Sequence, residues 1–584
     1  MAAEYLEAFS EAHHDTPFLS YWRIQEDKSL LCTSYTRGAI WRLAQQAAHT
    51  LRSYGIAHGD RVTHFMTANR MEDVVFRVAA VLTGMVPVTV NWQADSLDRV
   101  KYKISSTGSK VVLVDEGVAE ADVAALQQMD GVKVHRLSGL NGLEKDQNGD
   151  VTNGVNGPTV TGADDRMIIF TSGTTGNPKG ARLTYHNYEV NRKTFESFLE
   201  VSPSTLLTVV LVNPFHHTNS TAVGDWAIRR PNTLLHVVER YTTPYWKVLS
   251  DAAESARLKE TGNDWKVVAP MVSRHIDFLD GMFEGDAQAL PVSQEKLRET
   301  LSHRQVIFLL GSAPVGPTTV GRLQRHLQGK LPTVRFGSTE TCLQVMGTPL
   351  SLTPEGLVAA FRRGWEHTTP SGEPHKGYYI GRPHHPFTEV MVVKSLKDDP
   401  LVESAEGETG WLVCRGGNIM TGYANSPTHP FTADNWYTNL GDVGFWLMSA
   451  DGGAKDIYWQ SRDAALVIKG GANYACEQIN EEIKAFVVKE YGLPEKAVAV
   501  ASIGMKVQSE HEDDCCVCLE LTTDEAKARQ QDIQATFIQR AKACKMISKG
   551  SKPDRLLIDH IPRNFKGAIS LPDLQDKFKA ALGS

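Results

Sequence analysis

The chain has no run approaching the roughly 18 apolar residues that a membrane-spanning helix requires. Its first residues, Met1-Ala2-Ala3-Glu4-Tyr5, carry neither the basic stretch nor the apolar core of a secretory leader. Its last, Ala581-Leu582-Gly583-Ser584, are not a peroxisomal address. These absences make a cytosolic protein the expectation. Surplus positive charge is missing too. The net charge is −7, which removes any bulk attraction to nucleic acid or anionic membrane. Cysteine is scarce, with 8 in 584 residues, and free thiols in a reducing compartment are expected. Cys515, Cys516 and Cys518 cluster near His511, a combination that invites a metal. But Val517-Cys518-Leu519-Glu520-Leu521 alternates like a strand, so these thiols read as small buried hydrophobes. No internal repeat or heptad runs through the chain, which excludes solenoids and coiled coils.

What is present is an ordinary globular composition, 41% hydrophobic and 22% charged, in a chain too long for one core. Arg61–Met66 and Lys110–Asp115 read as strands of a parallel sheet. Residues 142–165 are rich in Gly, Asn and Asp and read as an exposed loop. Layered α/β signals continue to about 450. Two strands, Val306–Leu310 and Val334–Phe336, run into Gly311-Ser312-Ala313-Pro314 and Gly337-Ser338-Thr339-Glu340. Open α/β sheets bind ligands at such carboxyl ends. After Arg462 the pattern becomes a compact α+β tail. It has a helix near 478–490, strands near 497–503 and 516–521, and a helix near 524–544.

The most informative stretch is Thr171-Ser172-Gly173-Thr174-Thr175-Gly176-Asn177-Pro178-Lys179-Gly180. It lies between an apolar run, Met167–Phe170, and a helical segment, His186–Leu199. Three glycines, four hydroxyls and a lysine bring many donors against a phosphate chain. It is not a Walker A loop, because Gly180 follows Lys179 where Ser or Thr is required. The loop resembles the phosphate loop of the adenylate-forming superfamily: acyl- and aryl-CoA synthetases, peptide-synthetase adenylation domains and beetle luciferases.

That resemblance extends along the chain and implies ATP, Mg²⁺ and CoA as ligands. Thr171, Ser172, Gly173, Thr174, Thr175, Gly176 and Lys179 would hold ATP, with Gly311, Ser312, Ala313, Pro314, Arg335, Gly337 and Ser338. Phe336-Gly337-Ser338-Thr339-Glu340 resembles the aromatic-Gly-x-Thr-Glu motif. It implies that Phe336 stacks on adenine, Thr339 bonds a phosphate oxygen and Glu340 holds magnesium, a hard cation suited to carboxylate oxygen. Asp442, in Gly441-Asp442, and Arg462 are implied at the ribose. Leu440 stands where the family has threonine. His216, His217, Thr218 and Cys342 are implied at the carboxylic acid. The run Phe215-His216-His217-Thr218-Asn219 lacks the aspartate of amino-acid-activating domains, which argues against an α-amino acid. Lys469, Gly470 and Gly471 are implied along the CoA thiol's path. Two departures sit near them: Ala464 at the hinge position, and Cys476-Glu477-Gln478 for the usual Pro-x-Glu.

The largest departure is Ala568 in Pro562–Ile569, at the position of the family's adenylation lysine, with Lys566 the nearest candidate to replace it. Three readings stand: a Lys→Ala replacement made to hold a complex, a natural enzyme that uses Lys566 or works slowly, and a pseudoenzyme. The expected architecture is an α/β protein. A large N-terminal domain, 1–461, has β-sheets flanked by helices. A small mobile α+β domain, 462–584, turns on a hinge near 462–465. The expected activity is ATP-dependent activation of a carboxylic acid to an acyl-adenylate, then transfer to CoA. One alternative is a ligase that passes the acyl group to an amine or another acceptor. Another is a nucleotide- or acyl-binding protein without turnover.

Overall fold

A computed structural model describes the chain except residues 1, 94, 138–159, 172–177, 260, 261, 263, 286–289, 371, 373, 425, 427–429, 451, 463, 464, 470, 471, 508–512, 545, 548–550, 564–566, 583 and 584. Continuous apolar runs become strands covered on both faces. Trp265–Met271 and Val306–Leu310 are buried along their whole length. They lie in a parallel array with Leu206–Leu211 and Thr333–Phe336. This array is the centre of a 13-stranded sheet whose far half, from Met346–Gly347 onward, is antiparallel. Burial on both faces is the usual condition of parallel strands, and it explains why these runs do not alternate.

A second sheet has seven strands. Arg61–Phe65 pairs in parallel with Val111–Val114, as the sequence predicts, and also with Val86–Thr89. Asp165–Phe170 joins it and then pairs antiparallel with Gly180–Thr184. That strand opens at Asp165, inside the stretch read as loop, because Asp165 still pairs with Thr184. Most of the proposed loop lies outside the described residues.

The largest apolar core draws from both of these sheets and holds Phe76, Phe195, Phe215, Trp226 and Leu309. On the other face of the 13-stranded sheet, Trp246, Phe308, Leu310 and Val334 form a second core. The helix Thr218–Arg229 has all twelve residues buried, although six are polar or charged. Residues beyond 464 build cores of their own. Ile483, Phe486 and Phe537 form one; Cys516, Cys518 and Phe578 form another. A three-stranded sheet runs through them: Val498–Met505, Asp514–Leu521 and Arg555–Ile558. Cys515, Cys516 and Cys518 are buried on the middle strand, facing alternate cores, as small hydrophobes do. The helix expected over 524–544 is two helices, Asp524–Ala528 and Gln530–Ala543, broken at Arg529. Among the described residues, no helix is long and apolar enough to cross a membrane.

Candidate functional site

The parallel neighbours Val306–Leu310 and Thr333–Phe336 lead into Gly311–Pro314 and Gly337–Glu340. The turn after Phe336 is tight: a Cβ on Gly337 would lie 2.3 Å from the Leu343 carbonyl oxygen. Thr341 Oγ1 accepts from Ser338 N at 2.8 Å, and Leu343 N donates to Ser338 O. Cys342 and Leu343 have positive φ, 49° and 99°. Such backbone angles in non-glycine residues need surrounding structure to hold them. Asn418 supplies it, donating to the carbonyls of Thr341 and Gln344. Cys342 itself is enclosed in the core, where burial pushes its thiol well up.

This turn delivers Thr339 and Glu340, both half-buried. Tyr423 Oη donates to Glu340 Oε1 at 2.9 Å, and Met420 N donates to Glu340 O at 2.7 Å. Tyr437 Oη lies 3.3 Å from Tyr423 Oη. Burial, then the charge of Glu340, pushes both phenols up, so both stay protonated at neutral pH. The Lys179 ammonium sits 5.3 Å over the Tyr423 ring. A carboxylate and an ammonium thus meet on one tyrosine. Thr171, at the other end of the loop, donates its N–H to Lys179 O at 2.9 Å. Ser172, Gly173, Thr174, Thr175 and Gly176 lie outside the described residues.

The residues expected at the carboxylic acid lie at the head of the buried helix. His216 is buried with its ring centroid 4.2 Å from that of His217 and 5.7 Å from that of Trp92. His217 is the residue before the first turn and gives the helix no side-chain cap. Asn69 pins the preceding loop by accepting from Phe215 N and donating to the carbonyls of Val212, Asn213 and Val238. Asn219 is 4% exposed, and neither atom of its amide has a partner among the described residues.

Gly311 ends its strand against Arg335. A Cβ there would lie 2.6 Å from Arg335 Cζ, so only glycine admits the guanidinium. Ser312 follows with φ 66°. Ser273 Oγ donates to Pro314 O across the next turn. Asp442 is buried and receives Trp459 Nε1 at 2.7 Å and Arg462 Nη1 at 3.0 Å. Lys469 ends the strand Leu466–Lys469, which pairs with Ala472–Ala475; Gly470 and Gly471, between them, are outside the described residues. Lys566 is outside them as well. Ala568 follows Gly567, where an added Cβ would lie 3.5 Å from Arg274 Nη1.

Sequence reasoning missed Tyr423, Tyr437, Trp459 and Asn69. Tyr423 and Asn69 act on partners far away in the chain, while Tyr437 and Trp459 meet Tyr423 and Asp442 from neighbouring segments.

The arrangement presents a carboxylate able to hold a divalent cation, a cation for phosphate, and uncovered donors at the ends of a parallel sheet. Comparison with known proteins agrees. The chain is 24% identical over 439 residues to a 2-succinylbenzoate–CoA ligase of Bacillus licheniformis, covering 74% of this chain and 76% of that one. It is 26% identical over 550 residues to the long-chain-fatty-acid–CoA ligase FadD13 of Mycobacterium tuberculosis, covering 92% of each. The crystal structure of ATP-bound MatB from Rhodopseudomonas palustris superposes with a TM-score of 0.71 at 20% identity, covering 99% of each chain. The AMP-binding enzyme family model matches residues 6–424, well over half of the sequence, and the chain belongs to that family.

Proposed function

We propose that the chain activates a carboxylic acid with ATP and transfers the acyl group to CoA. The single observation that carries this reading is Glu340 held by Tyr423 beside Lys179, at the end of the loop Thr171–Gly180. A carboxylate oxygen of the acid attacks the α-phosphorus, and the bond to the bridging oxygen breaks. Pyrophosphate leaves with its electron pair. The CoA thiol then adds to the acyl carbon, AMP departs, and the thiol proton passes to solvent. No protein nucleophile is needed; positioning and charge stabilisation do the work.

In this reading the loop Thr171–Gly176 and Lys179 cradle the phosphates. Glu340 would hold Mg²⁺, which draws charge off the reacting phosphate; Tyr423 keeps that carboxylate in one orientation. Phe336 lies against adenine, and Asp442 accepts from the ribose hydroxyls with Arg462 beside it. His217 and Thr218 face the acid. Residues 1–461 and 462–584 act as two bodies about a hinge at 462–465. Lys469, Gly470 and Gly471 line the thiol's path, and the protein works in the cytosol. The relatives divide on the acid. A 2-succinylbenzoate carries two carboxylates and a long-chain fatty acid carries one.

The test separates the half-reactions. Supplied with a panel of preformed acyl-adenylates and CoA, the chain should form thioester and release AMP. Acyl transfer to amines but never to CoA would replace CoA as the acceptor. No thioester from any adenylate, together with no AMP from ATP and any acid, would overturn the reading.

A further inference from the structure

Six arginines are buried among the described residues, and five of them have a carboxylate or a set of backbone carbonyls beside the guanidinium. Arg77 pairs with Asp73, Arg166 with Asp225, and Arg229 with Glu4 and Glu189. Arg37 donates to the carbonyls of Ala227, Ile228, Arg230 and Pro231. Arg230 donates to those of Ser202, Thr205 and Asn232. Arg335 has neither kind of partner. It is 3% exposed, and its Nε has no acceptor. Its hydrogen bond among the described residues is a long one, Nη2 to Ser312 Oγ at 3.4 Å. Burial, with no charge opposing it, pushes the guanidinium down to about 9. A buried, uncompensated cation is expensive, and proteins pair such groups or keep them for a ligand.

Its position says which ligand. Side chains alternate across a strand. Val334 and Leu310 face the core on the outer side of the sheet. Arg335 and Gly311 therefore face the other side, where the helix Thr218–Arg229 packs. That helix follows Leu206–Leu211, another strand of the same parallel array, and Asn219 in its uncapped first turn is unpartnered among the described residues. The groups expected at the phosphates have other partners: exposed Lys179 and half-buried Glu340 meet on Tyr423. Phosphates are heavily hydrated, and Lys179 can serve them in the open. A dry, planar guanidinium suits a carboxylate or sulfonate bound through two oxygens. A plain hydrocarbon tail would leave Arg335 buried and uncompensated.

We infer that Arg335, lodged against Gly311 without a counter-anion, binds a second anionic group on the acid substrate, remote from the carboxylate that is activated. This rests on the reading of the chain as an acid-activating ligase, and it names the class of acid: dicarboxylic or sulfocarboxylic rather than a simple fatty acid. It also moves Arg335 from the nucleotide, where the sequence places it, to the acid.

Two readouts keep the inference and the reading on which it rests distinct. Calorimetric binding of α,ω-dicarboxylic acids of three to eight carbons, each against the monocarboxylic acid of equal length, needs no turnover. Acid-dependent AMP formation with the same pairs does. At least one diacid should be preferred over its partner by on the order of 10²-fold or more, the scale on which a site built for a polar group rejects its absence. In Arg335→Met that preference should shrink to within about tenfold, Arg335→Lys should retain part of it, and the ATP dissociation constant should not move. Diacid preference in binding without AMP formation would uphold Arg335 and sink the ligase reading. AMP formation with monoacids, unchanged in Arg335→Met, would overturn the inference and leave the ligase reading standing. Weakened ATP binding in Arg335→Met, alike for every acid, would return Arg335 to the nucleotide and overturn the inference.

Discussion

The two ends of the buried helix Thr218–Arg229 are built on opposite terms. Toward its C-terminus, Asp225 receives Tyr5 Oη at 2.8 Å and Arg166 at 3.0 Å, while Arg229 meets Glu4 and Glu189. Every charge there has an opposite. At its N-terminus Asn219 is unpartnered, and at the end of the strand Thr333–Phe336 Arg335 lacks an anion, among the described residues. Ser312, Cys342 and Leu343 hold positive φ in the same region. A cluster whose polar groups answer one another serves the fold. A cluster whose polar groups remain unanswered has been left for something that is not part of the chain.

Breaking the satisfied end should do the most damage. Asp225→Ala leaves Arg166 buried and uncompensated. It should cost about 3–5 kcal/mol of stability, the usual penalty for removing one partner of a buried pair. Chemical denaturation measures it, and an unchanged midpoint would erase the contrast. Glu340→Ala acts away from this helix, where Tyr423 holds the carboxylate. The fold should persist while AMP formation falls about 10²–10³-fold, the scale of one lost electrostatic stabiliser. Unaltered dependence on magnesium would remove Glu340 from the metal.

Ala568→Lys should raise adenylation about 10²-fold and leave thioester formation from preformed adenylate as it was. If it changes nothing while Lys566→Ala abolishes adenylation, Lys566 is the working lysine. The smallest effect belongs to Glu477, at the start of the helix Cys476–Tyr491. Burial, opposed by hydrogen bonds, pushes its carboxyl up from 4.5 to about 7. Between those values the folded chain keeps a proton that the unfolded chain releases, so stability falls as pH rises through that window. Glu477→Gln cannot ionise and should flatten the slope. It should gain about 1 kcal/mol over the native chain at pH 8 and nothing at pH 4. Equal slopes in the two proteins would show that Glu477 is already solvated.

The parts of this molecule that local chemistry specifies were legible in the sequence. Val306–Leu310 announces a doubly covered strand, and Gly337-Ser338-Thr339-Glu340 announces a strand-end turn. The break at Arg529 was not legible, because neither glycine nor proline marks it. The long-range partners were not legible either. Tyr423 reaches Glu340 across 83 residues, and Tyr5 reaches Asp225 across 220. Sheet topology decides such meetings, and no local pattern encodes them. Arg335 shows the limit most sharply. Its place beside Phe336 made it look like part of the nucleotide motif; only the fold shows it buried against Gly311 with no anion beside it among the described residues.

The most direct test of the central claim is exchange of labelled pyrophosphate into ATP. The account predicts exchange that requires both an acid and magnesium and disappears in Glu340→Ala. Exchange without any acid, or ATP cleaved to ADP and phosphate instead of AMP and pyrophosphate, would contradict attack at the α-phosphate and the account with it.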